Sequence, residues 1–373
     1  MSKRVKILVS LVAVLILSLV IYPVAFATSP GHNEHHEAQP LHEQHPEDSK
    51  EFNTAEHATH HAKDAHEFHF TDDFVIPLPV ILWTEKGLIT FMSSEFHHDD
   101  KGHHVVEKEG LKFIKIHEKI YQLEAGEDHA VLDGQHHPMN AKATLDISLT
   151  KNVVTMFLVA ILMIWIFMAS AKHYRMGSPA APKGIAGFTE PLILFVREIA
   201  TDNIHGHDKY KKFMPYLLTV FFFILIGNLL GLIPFLANPN MTGSISVTIV
   251  LATFTFIVQM IHSKKAFWAH IFAPPGVPWA LWPILIPIEF AGIFIKPGAL
   301  VIRLFANITA GHIIVVSLIS VIFVNKSIGW AGLSVPMTLF ISVLELLVAF
   351  LQAYIFTMLS ALFIGTAVDE GHH

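Results

Sequence analysis

Five ionisable side chains stand within apolar stretches near the carboxyl end of the chain, and their types suit the movement of protons. They are Glu289, Lys296, Arg303, His312 and Glu345. A charged side chain inside a bilayer is costly, so each is a candidate functional group. Glu and His can bind and release a proton near working pH, whereas a guanidinium stays protonated in proteins. The set therefore combines proton-relaying groups with one permanent charge.

The spacing of the polar residues predicts two polar helix faces. On the first apolar stretch, four polar residues recur at intervals of seven, seven and four: Glu289, Lys296, Arg303 and Asn307. At 100° per residue these positions share one face of a helix. Glu345 and Gln352 are also seven residues apart and share a face on the second stretch. Two antiparallel helices of this kind would bring their polar faces together or line a wet path.

The chemistry of Arg303 differs from that of the groups around it. Its fixed charge can hold a carboxylate ionised and can block a proton path. His312 and Glu345 can relay protons because both titrate. The alternative is a structural salt bridge from Arg303 to Glu289 or Glu345, although apolar residues could brace a membrane hairpin without that cost. Lys296 has a second interpretation, in which its ammonium reaches the membrane interface.

The elements that carry these residues are unusually long. Residues 287–324 and 336–368 are apolar runs of 38 and 33 residues. As α-helices they would be about 57 and 50 Å long, against a hydrocarbon thickness of about 30 Å. Because upright helices would overshoot the bilayer, we predict a long and strongly tilted hairpin. Pro297-Gly298 offers a kink in its first helix.

Three further apolar runs precede the hairpin: residues 153–171, 214–236 and 245–261. The connection 172–212 carries seven basic residues, and the connection 237–244 carries none. Lys and Arg mark the cytoplasmic side of a membrane protein. We therefore predict an extracytoplasmic amino-terminal region and a cytoplasmic carboxyl terminus.

The connection 172–212 also contains a segment with helical periodicity. Its apolar residues recur at helical spacing: Phe188, Leu192, Phe195, Val196 and Ile199. Such an amphipathic helix lies along the inner membrane surface or packs beneath the spans. The predicted fold is an all-α polytopic membrane protein with about five membrane-embedded helices and one amphipathic surface helix.

The composition divides the chain near residue 151. Overall it is 52% hydrophobic and 15% charged, with a mean hydropathy of +0.50. The absence of cysteine excludes disulfides, thiol catalysis and Cys-based metal sites. Residues 28–150 contain 23 acidic and 9 basic side chains, whereas residues 151–373 contain 8 acidic and 13 basic ones. We predict a membrane domain at 151–373 and an extracytoplasmic region at 28–150.

The first 27 residues are typical of a signal peptide. A basic start is followed by an apolar stretch at residues 7–22 and by Ala25-Phe26-Ala27, which matches a cleavage site. The alternative is an uncleaved first membrane helix, for which the apolar stretch is short. Either interpretation carries the region that follows across the membrane.

The region 28–150 is rich in histidine, with 18 of the 26 histidines of the chain. Residues 28–69 lack apolar periodicity and are predicted to be disordered. Short apolar runs at residues 74–76, 88–91 and 111–116 predict a small β-rich module. Three histidine pairs could bind a metal if they were brought together: His35-His36, His60-His61 and His103-His104. Their irregular spacing favours a hydrophilic, pH-responsive tail, and we predict no metal and no cofactor.

The hairpin motifs resemble those of a known family. The run RLFANITAGH at residues 303–312 resembles the R-L-F-x-N-x-x-A-G-[E/H] signature of subunit a of F-type ATP synthases. Glu345, Gln352 and the run at 353–356 resemble its last-helix pattern, and NLLGLIP at 228–234 resembles its second-span motif. The resemblance covers roughly residues 151–368.

The resemblance implies a role in a rotary proton path. Arg303 would face the essential carboxylates of the c-ring and separate two offset half-channels. His312 and Glu345 would belong to the outer half-channel, and Glu289 to the inner one. The polar neighbours of the arginine would be Asn307 and Gln352. One common bacterial pattern has Glu at the position of His312 and His at that of Glu345, so the relay pair is exchanged here.

The implied partners are the c-ring, the subunit b peripheral stalk, the remaining ATP synthase subunits, membrane lipid and the transported protons. The implied location is a bacterial plasma membrane. The chain has no nucleotide-binding motif, so ATP formation belongs to other subunits, and no nucleic-acid partner is predicted.

Two other classes of function fit the sequence less well. A secondary transporter would show internal repeats, yet the charges are confined to one hairpin. A metal-handling protein on a membrane anchor would leave the intramembrane Arg303, His312 and Glu345 unexplained. Outside the hairpin, Asn228 is predicted to form a hydrogen bond between helices and not to line the channel.

Overall fold

A computed structural model describes most of the chain from residue 64 onward. The described ranges are 64–71, 74–124, 126–133, 138–175, 182–206, 208–233, 241–273, 277–324 and 328–369. The predicted signal peptide at residues 1–27 and residues 28–63 of the predicted disordered stretch lie outside them.

The described part of the chain is mainly helical after residue 150. Its α-helices are α1 (Lys151–Arg175), α2 (Ile185–Asn203), α3 (Tyr210–Gly231), α4 (Ile245–His262), α5 (Lys265–Phe272), α6 (Trp282–Val324) and α7 (Ala331–Val368). Among the described residues, five helices are long and apolar enough to cross a membrane, namely α1, α3, α4, α6 and α7. The prediction of a polytopic all-α membrane protein is confirmed.

Helix α3 ends earlier than the apolar run from which it was predicted. The run extends to residue 236, whereas the helix ends at Gly231, with Leu232 as its last capping residue. Pro234 follows three residues after the end of the helix. Because proline lacks an N–H and disfavours helical backbone in the residue before it, the apolar run outlasts the helix.

The predicted amphipathic helix is α2, and it packs against α1, α3 and α7. Its buried side includes Val196 and Ala200, and the Thr189 hydroxyl lies 2.7 Å from the Ser170 hydroxyl of α1. Its other side exposes Phe188, which is 74% accessible. The helix therefore packs against the spans on one face and presents apolar surface on the other.

Helices α6 and α7 form the predicted long hairpin. With 43 and 38 residues they are about 65 and 57 Å long, which exceeds the roughly 30 Å of a hydrocarbon core. They pack against each other, and α7 also packs against α3 and α4. The shared core includes Leu300 and Leu304 of α6 and Ala353 and Phe356 of α7. The hairpin is thus one wall of the helical bundle.

The region before α1 contains short antiparallel strands. They are β1 (Glu67–Thr71), β2 (Phe74–Pro77), β3 (Pro79–Thr84), β4 (Gly87–Met92), β5 (Val106–Lys108), β6 (Leu111–Ile116), β7 (Lys119–Leu123), β8 (Ala141–Ala143) and β9 (Leu145–Asp146). Strands β1 and β2 pair, and the orders of the other sheets are β4-β3-β9 and β5-β6-β7-β8. The predicted β-rich module is confirmed, with its three apolar runs in β2, β4 and β6.

The two larger sheets enclose a small apolar core. In β3 and β4, alternate residues are buried, including Val80, Leu82, Ile89 and Phe91. Phe113 of β6 joins them, with its ring centroid 6.0 Å from that of Phe91. The period-two pattern of these strands therefore turns one face of each sheet inward.

The start of the folded region differs from its predicted limit at residue 69. Strand β1 begins at Glu67, and both His66 and Glu67 are 1% exposed. The His66 ring lies 2.8 Å from the Asp146 carboxylate of β9, which is distant in the sequence. Because its partners are remote, no local pattern marks this residue as part of the fold.

The β-rich region is joined directly to the first span. The backbone N–H of Lys151 donates to the Ala65 carbonyl over 2.9 Å, and that of Asn152 donates to Asp64 Oδ1 over 3.0 Å. Two of the N–H groups that α1 leaves free at its amino end are thereby satisfied by the segment before β1.

Candidate functional site

The predicted polar face of α6 lies beside the face that packs on the helical bundle. A buried stripe at helical spacing faces the bundle and consists of Ile293, Pro297, Leu300 and Leu304. Arg303, Asn307 and Lys296 are exposed. At 100° per residue, Arg303 lies about 90° and Asn307 about 50° from the centre of this stripe, so both stand on its flank.

Small residues surround Arg303 on this exposed face. Ala299, Ala306 and Ala310 lie four residues before it and three and seven after it, and all three are exposed. Small side chains let another helix approach closely in a membrane. Arg303 therefore projects from a surface that is shaped for close contact.

Arg303 has no salt bridge within the described part of the chain. The ion pairs formed there do not include Arg303, Glu289 or Glu345. The structural salt bridge considered as an alternative, from Arg303 to Glu289 or Glu345, is therefore not formed in this structure. An exposed guanidinium on an apolar face is left available to an external carboxylate.

Glu345 of α7 lies directly against the backbone of α6. A Cβ atom built on Gly311 would stand 2.6 Å from Glu345 Oε1 and 3.2 Å from its Cγ. The absence of a side chain at Gly311 is what lets the carboxylate approach the helix this closely. The residue after Gly311 is His312, whose side chain lies outside the described residues although its backbone is part of α6.

A second contact sets the register of the hairpin. The Ser334 hydroxyl of α7 donates to the Leu318 carbonyl of α6, near the turn that joins the helices. Together with the contact of Glu345 at Gly311, it fixes an antiparallel alignment. Seven residues beyond Glu345, Gln352 is therefore level with the turn of α6 that carries Arg303.

Gln352 is only 2% exposed, unlike the arginine at its level. Close to it, Asn228 of α3 donates its amide to the Ala349 carbonyl of α7 over 3.2 Å. The Thr242 hydroxyl donates to Asn228 Oδ1 over 2.5 Å, which satisfies the other end of the amide. Asn228 forms a hydrogen bond between helices, as predicted.

Glu289 stands apart from the other candidates. It is half-buried near the amino end of α6, fourteen residues before Arg303. At 1.5 Å per residue the two are about 21 Å apart along the helix axis. The structure therefore separates three levels along the hairpin: Glu289 at one end, Arg303 with Asn307 and Gln352 in the middle, and Glu345 beside Gly311 toward the other end.

The histidine pairs do not form a metal site within the described residues. His104 donates its backbone N–H to Asp99 over 2.7 Å, and its ring packs edge-on against that of His97 at 4.5 Å. Among the described residues no group of three or more His, Asp or Glu is arranged to hold a metal ion. The pairs at 35–36 and 60–61 lie outside the described residues.

Gly311 is a site residue that the reasoning on ionisable side chains missed. It carries no chemistry, and its role comes from the carboxylate packed against it. A glycine inside a long membrane helix, next to a titratable residue, is the signal that could have found it, because small residues mark close approach.

Comparison with known proteins identifies the family of the membrane domain. The family described as ATP synthase A chain matches residues 153–365, which is more than half of the chain. The chain belongs to this family. A family described only as a domain of unknown function matches residues 57–147.

Curated relatives show the same similarity over most of their length. The "ATP synthase subunit a 2" of Chlorobaculum tepidum is 52% identical over 247 residues, covering 64% of this chain and 68% of the relative. The "ATP synthase subunit a" of Chloroherpeton thalassium is 47% identical over 262 residues, covering 66% of this chain and 77% of the relative.

Membership of the family settles the general function. The protein is a multi-pass, proton-translocating subunit of the membrane sector of ATP synthase, and it works in association with the rest of that complex. The secondary-transporter alternative and the metal-handling alternative are therefore wrong as descriptions of the whole protein.

Proposed function

We propose that the α6–α7 hairpin forms two offset proton half-channels against the c-ring, with Arg303 as the charge that separates them. A c-ring carboxylate arriving at Arg303 would lose its proton, because a neighbouring guanidinium favours the ionised acid. The guanidinium cannot release a proton of its own and so cannot relay one. Proton flow would then require rotation of the ring.

The observation that carries this proposal is the position of Arg303. Its charge projects from an exposed apolar face, without an ion pair among the described residues. An unpaired charge inside the membrane is costly in free energy unless a partner outside the chain compensates it. The exposed alanines beside it would let a ring helix come close enough to bring its carboxylate to the guanidinium.

The separation of the acidic groups supports two half-channels that do not meet. Glu345 and His312 would relay protons in the outer half-channel, and Glu289 would serve the inner one. Along α6 the two levels lie on opposite sides of Arg303, and Glu289 is about 21 Å from the arginine. Asn307 and Gln352 would act as its polar neighbours.

The same proposal covers topology and partners. Residues 1–27 would act as a signal peptide, residues 28–150 would lie outside the cytoplasm, and the membrane domain at 151–373 would end in the cytoplasm of a bacterial cell. The basic residues of the 172–212 connection support this orientation. Besides the c-ring, the subunit b stalk would contact the bundle.

Substitution of Arg303 in the assembled complex tests the barrier. We expect Arg303→Ala to abolish proton-driven ATP synthesis and to raise passive proton conductance through vesicles stripped of the catalytic sector. Arg303→Lys should also fail to couple, because a desolvated ammonium can lose its proton whereas a guanidinium cannot. The readouts are ATP synthesis under an imposed proton gradient and the decay rate of that gradient.

Lys296→Ala is the matched control, since Lys296 is an exposed cation on the same helix, seven residues away. It should leave both readouts close to those of the unchanged protein. Coupled ATP synthesis by an assembled Arg303→Ala complex would contradict the proposal.

A further inference from the structure

The β-rich region contains a wide cleft that has no part in proton transfer. Its volume is about 910 Å³, at the upper end of the range of small-molecule sites. Its walls come from β3, the β6–β7 pair and the β8–β9 connection, all within the segment that matches a domain of unknown function. An open cleft of this size suits an extended ligand better than a single small one.

An exposed indole forms one wall of the cleft. Trp83 is 57% exposed, and in the sheet it pairs with Leu88 on one side and Leu145 on the other. Both neighbours are exposed as well, so an apolar strip crosses the sheet at the edge of the cleft. Exposed aromatic rings flanked by polar groups offer a flat apolar face together with an N–H donor.

Several polar side chains along the cleft are available for hydrogen bonds. Within the described part of the chain, no hydrogen bond or ion pair engages the side chains of Trp83, Glu85, Gln122, Glu124 or Lys142. Lys112, in contrast, pairs with Asp128. The available groups include two carboxylates, an amide, an ammonium and an indole N–H, so both donors and acceptors face the cleft.

The charges of the lining indicate an uncharged ligand. Glu85 and Glu124 face Lys142, and the charge of Lys112 is already neutralised by Asp128. The lining therefore has only a small net charge, which favours neither a polyanion nor a polycation. Addition of a peptide strand is also disfavoured, because the sheet edges beside the cleft are β8 and β9, of three and two residues. Such short edges offer few backbone groups for pairing.

We propose that this cleft binds a neutral oligosaccharide. A sugar ring has an apolar C–H face that can stack on the Trp83 indole, and hydroxyls around its edge that can donate to the carboxylates of Glu85 and Glu124. Gln122 and Lys142 can donate to the sugar oxygens. The ligand would be a glycan outside the cytoplasm, and the bound glycan would tether the stator independently of the proton path.

Binding of two neutral tetrasaccharides to the full-length protein in detergent tests the proposal. The probes are chitotetraose and cellotetraose, measured by thermophoresis on the labelled protein. We expect saturable binding of at least one of them. Trp83→Ala should weaken it by about tenfold or more, and Trp83→Phe, which keeps a smaller ring, should weaken it less. Glu85→Gln should weaken it several-fold, because a neutral amide is a poorer acceptor.

Two matched controls lie outside the cleft. Trp165 of α1 is 56% exposed, so Trp165→Ala removes an equally accessible indole without touching the cleft. Glu198→Gln removes an exposed carboxylate on α2. Neither should change the affinity. Failure of both tetrasaccharides to bind, or equal affinity of Trp83→Ala and the unchanged protein, would overturn the proposal.

Discussion

At the scale of single residues, the contact between Glu345 and Gly311 bears on the proposed proton relay. The carboxylate reaches the backbone of α6 only because position 311 carries no side chain. The carboxylate is the end of a flexible side chain, so a methyl group there would displace it at little cost in stability. Substitution at Gly311 can therefore move the Glu345 carboxylate without unfolding the protein.

We predict that Gly311→Ala preserves assembly but lowers the rate of ATP-driven proton pumping by about tenfold or more. Proton relay depends on placement, and a shift of about 1 Å in a reacting group can cost about a hundredfold in rate. The measurement is the initial rate of acidification of vesicles, with the amount of assembled complex determined in parallel.

Gly298 offers the control for this change. It lies on the same helix, and a Cβ built on it would meet nothing within 4 Å. Gly298→Ala should pump at the normal rate. Should Gly311→Ala pump equally well, the close approach of Glu345 would have no bearing on the relay.

At the scale of elements, the apolar runs predict the two long helices of the hairpin. The predicted start of the first helix is wrong, because proline is treated as a helix boundary. The first apolar run begins at Pro287, whereas α6 begins at Trp282 and contains both Pro287 and Pro297. Proline is a stronger helix breaker in water than in a membrane, where neighbouring helices satisfy the freed backbone groups. Sequence rules from soluble proteins therefore shorten such helices.

Pairing between helices could be predicted only in part. Periodicity placed Arg303 and Asn307 on one face of α6, and the structure exposes both. The burial of Gln352 and the level of Glu345 beside Gly311 depend on the register of α6 against α7, which spacing within one helix does not determine. The expected interhelical bond of Asn228 was predictable because an amide in an apolar helix needs a partner.

The hydrogen bond from Asn228 to the Ala349 carbonyl is expected to stabilise the helical bundle. Asn228→Ala removes the hydrogen bond to the Ala349 carbonyl and leaves the buried Thr242 hydroxyl without its acceptor. We expect a loss of about 1 kcal/mol in stability, since hydrogen bonds between membrane helices average about 0.6 kcal/mol each. Thermal unfolding of the purified complex measures the loss, and coupling of the folded fraction should be unchanged.

Asn203→Ala serves as the reference variant. The Asn203 amide donates to the Ile199 carbonyl of its own helix, so its removal breaks no tie between helices. If the Asn228 and Asn203 variants unfolded at the same temperature as the unchanged protein, the bond would not stabilise the bundle.

At the scale of the whole molecule, a buried ionic cluster closes the β-rich region next to its junction with the first span. The His66 ring lies 2.8 Å from Asp146 through Nε2 and 3.7 Å from Glu118 through Nδ1. Lys115 stands 3.7 Å from Glu67 and 3.7 Å from Glu118. No sequence pattern predicts this cluster, because its members come from separate strands and turns.

The cluster fixes the protonation state of His66. Burial alone lowers the pKa of His66, but hydrogen bonds and charge from Asp146 and Glu118 outweigh it and raise the pKa to about 10. Burial likewise raises the pKa of Glu118, yet His66 and Lys115 lower it to about 2. The imidazole is therefore charged in the folded protein at neutral pH, between two ionised carboxylates.

This protonation couples the stability of the β-rich region to pH. Because the folded pKa of His66 exceeds the unfolded value of about 6.5, folding binds a proton, and stability falls as pH rises from 6.5 toward 10. We expect a slope of about 1.4 kcal/mol per pH unit in that range. Hydrogen exchange of the β3, β4, β6 and β7 amides in the full-length protein, corrected for the intrinsic pH dependence of exchange, measures it.

His66→Gln should lower the stability of the region by about 3–5 kcal/mol at pH 6.5, because it leaves buried carboxylates without their counter-charge. It should also remove the contribution of His66 to the slope between pH 6.5 and 10, because the imidazole that gains a proton on folding is gone. His129→Gln, at an exposed position, should keep both the stability and the slope. An unchanged slope in His66→Gln would show that the pH dependence arises elsewhere.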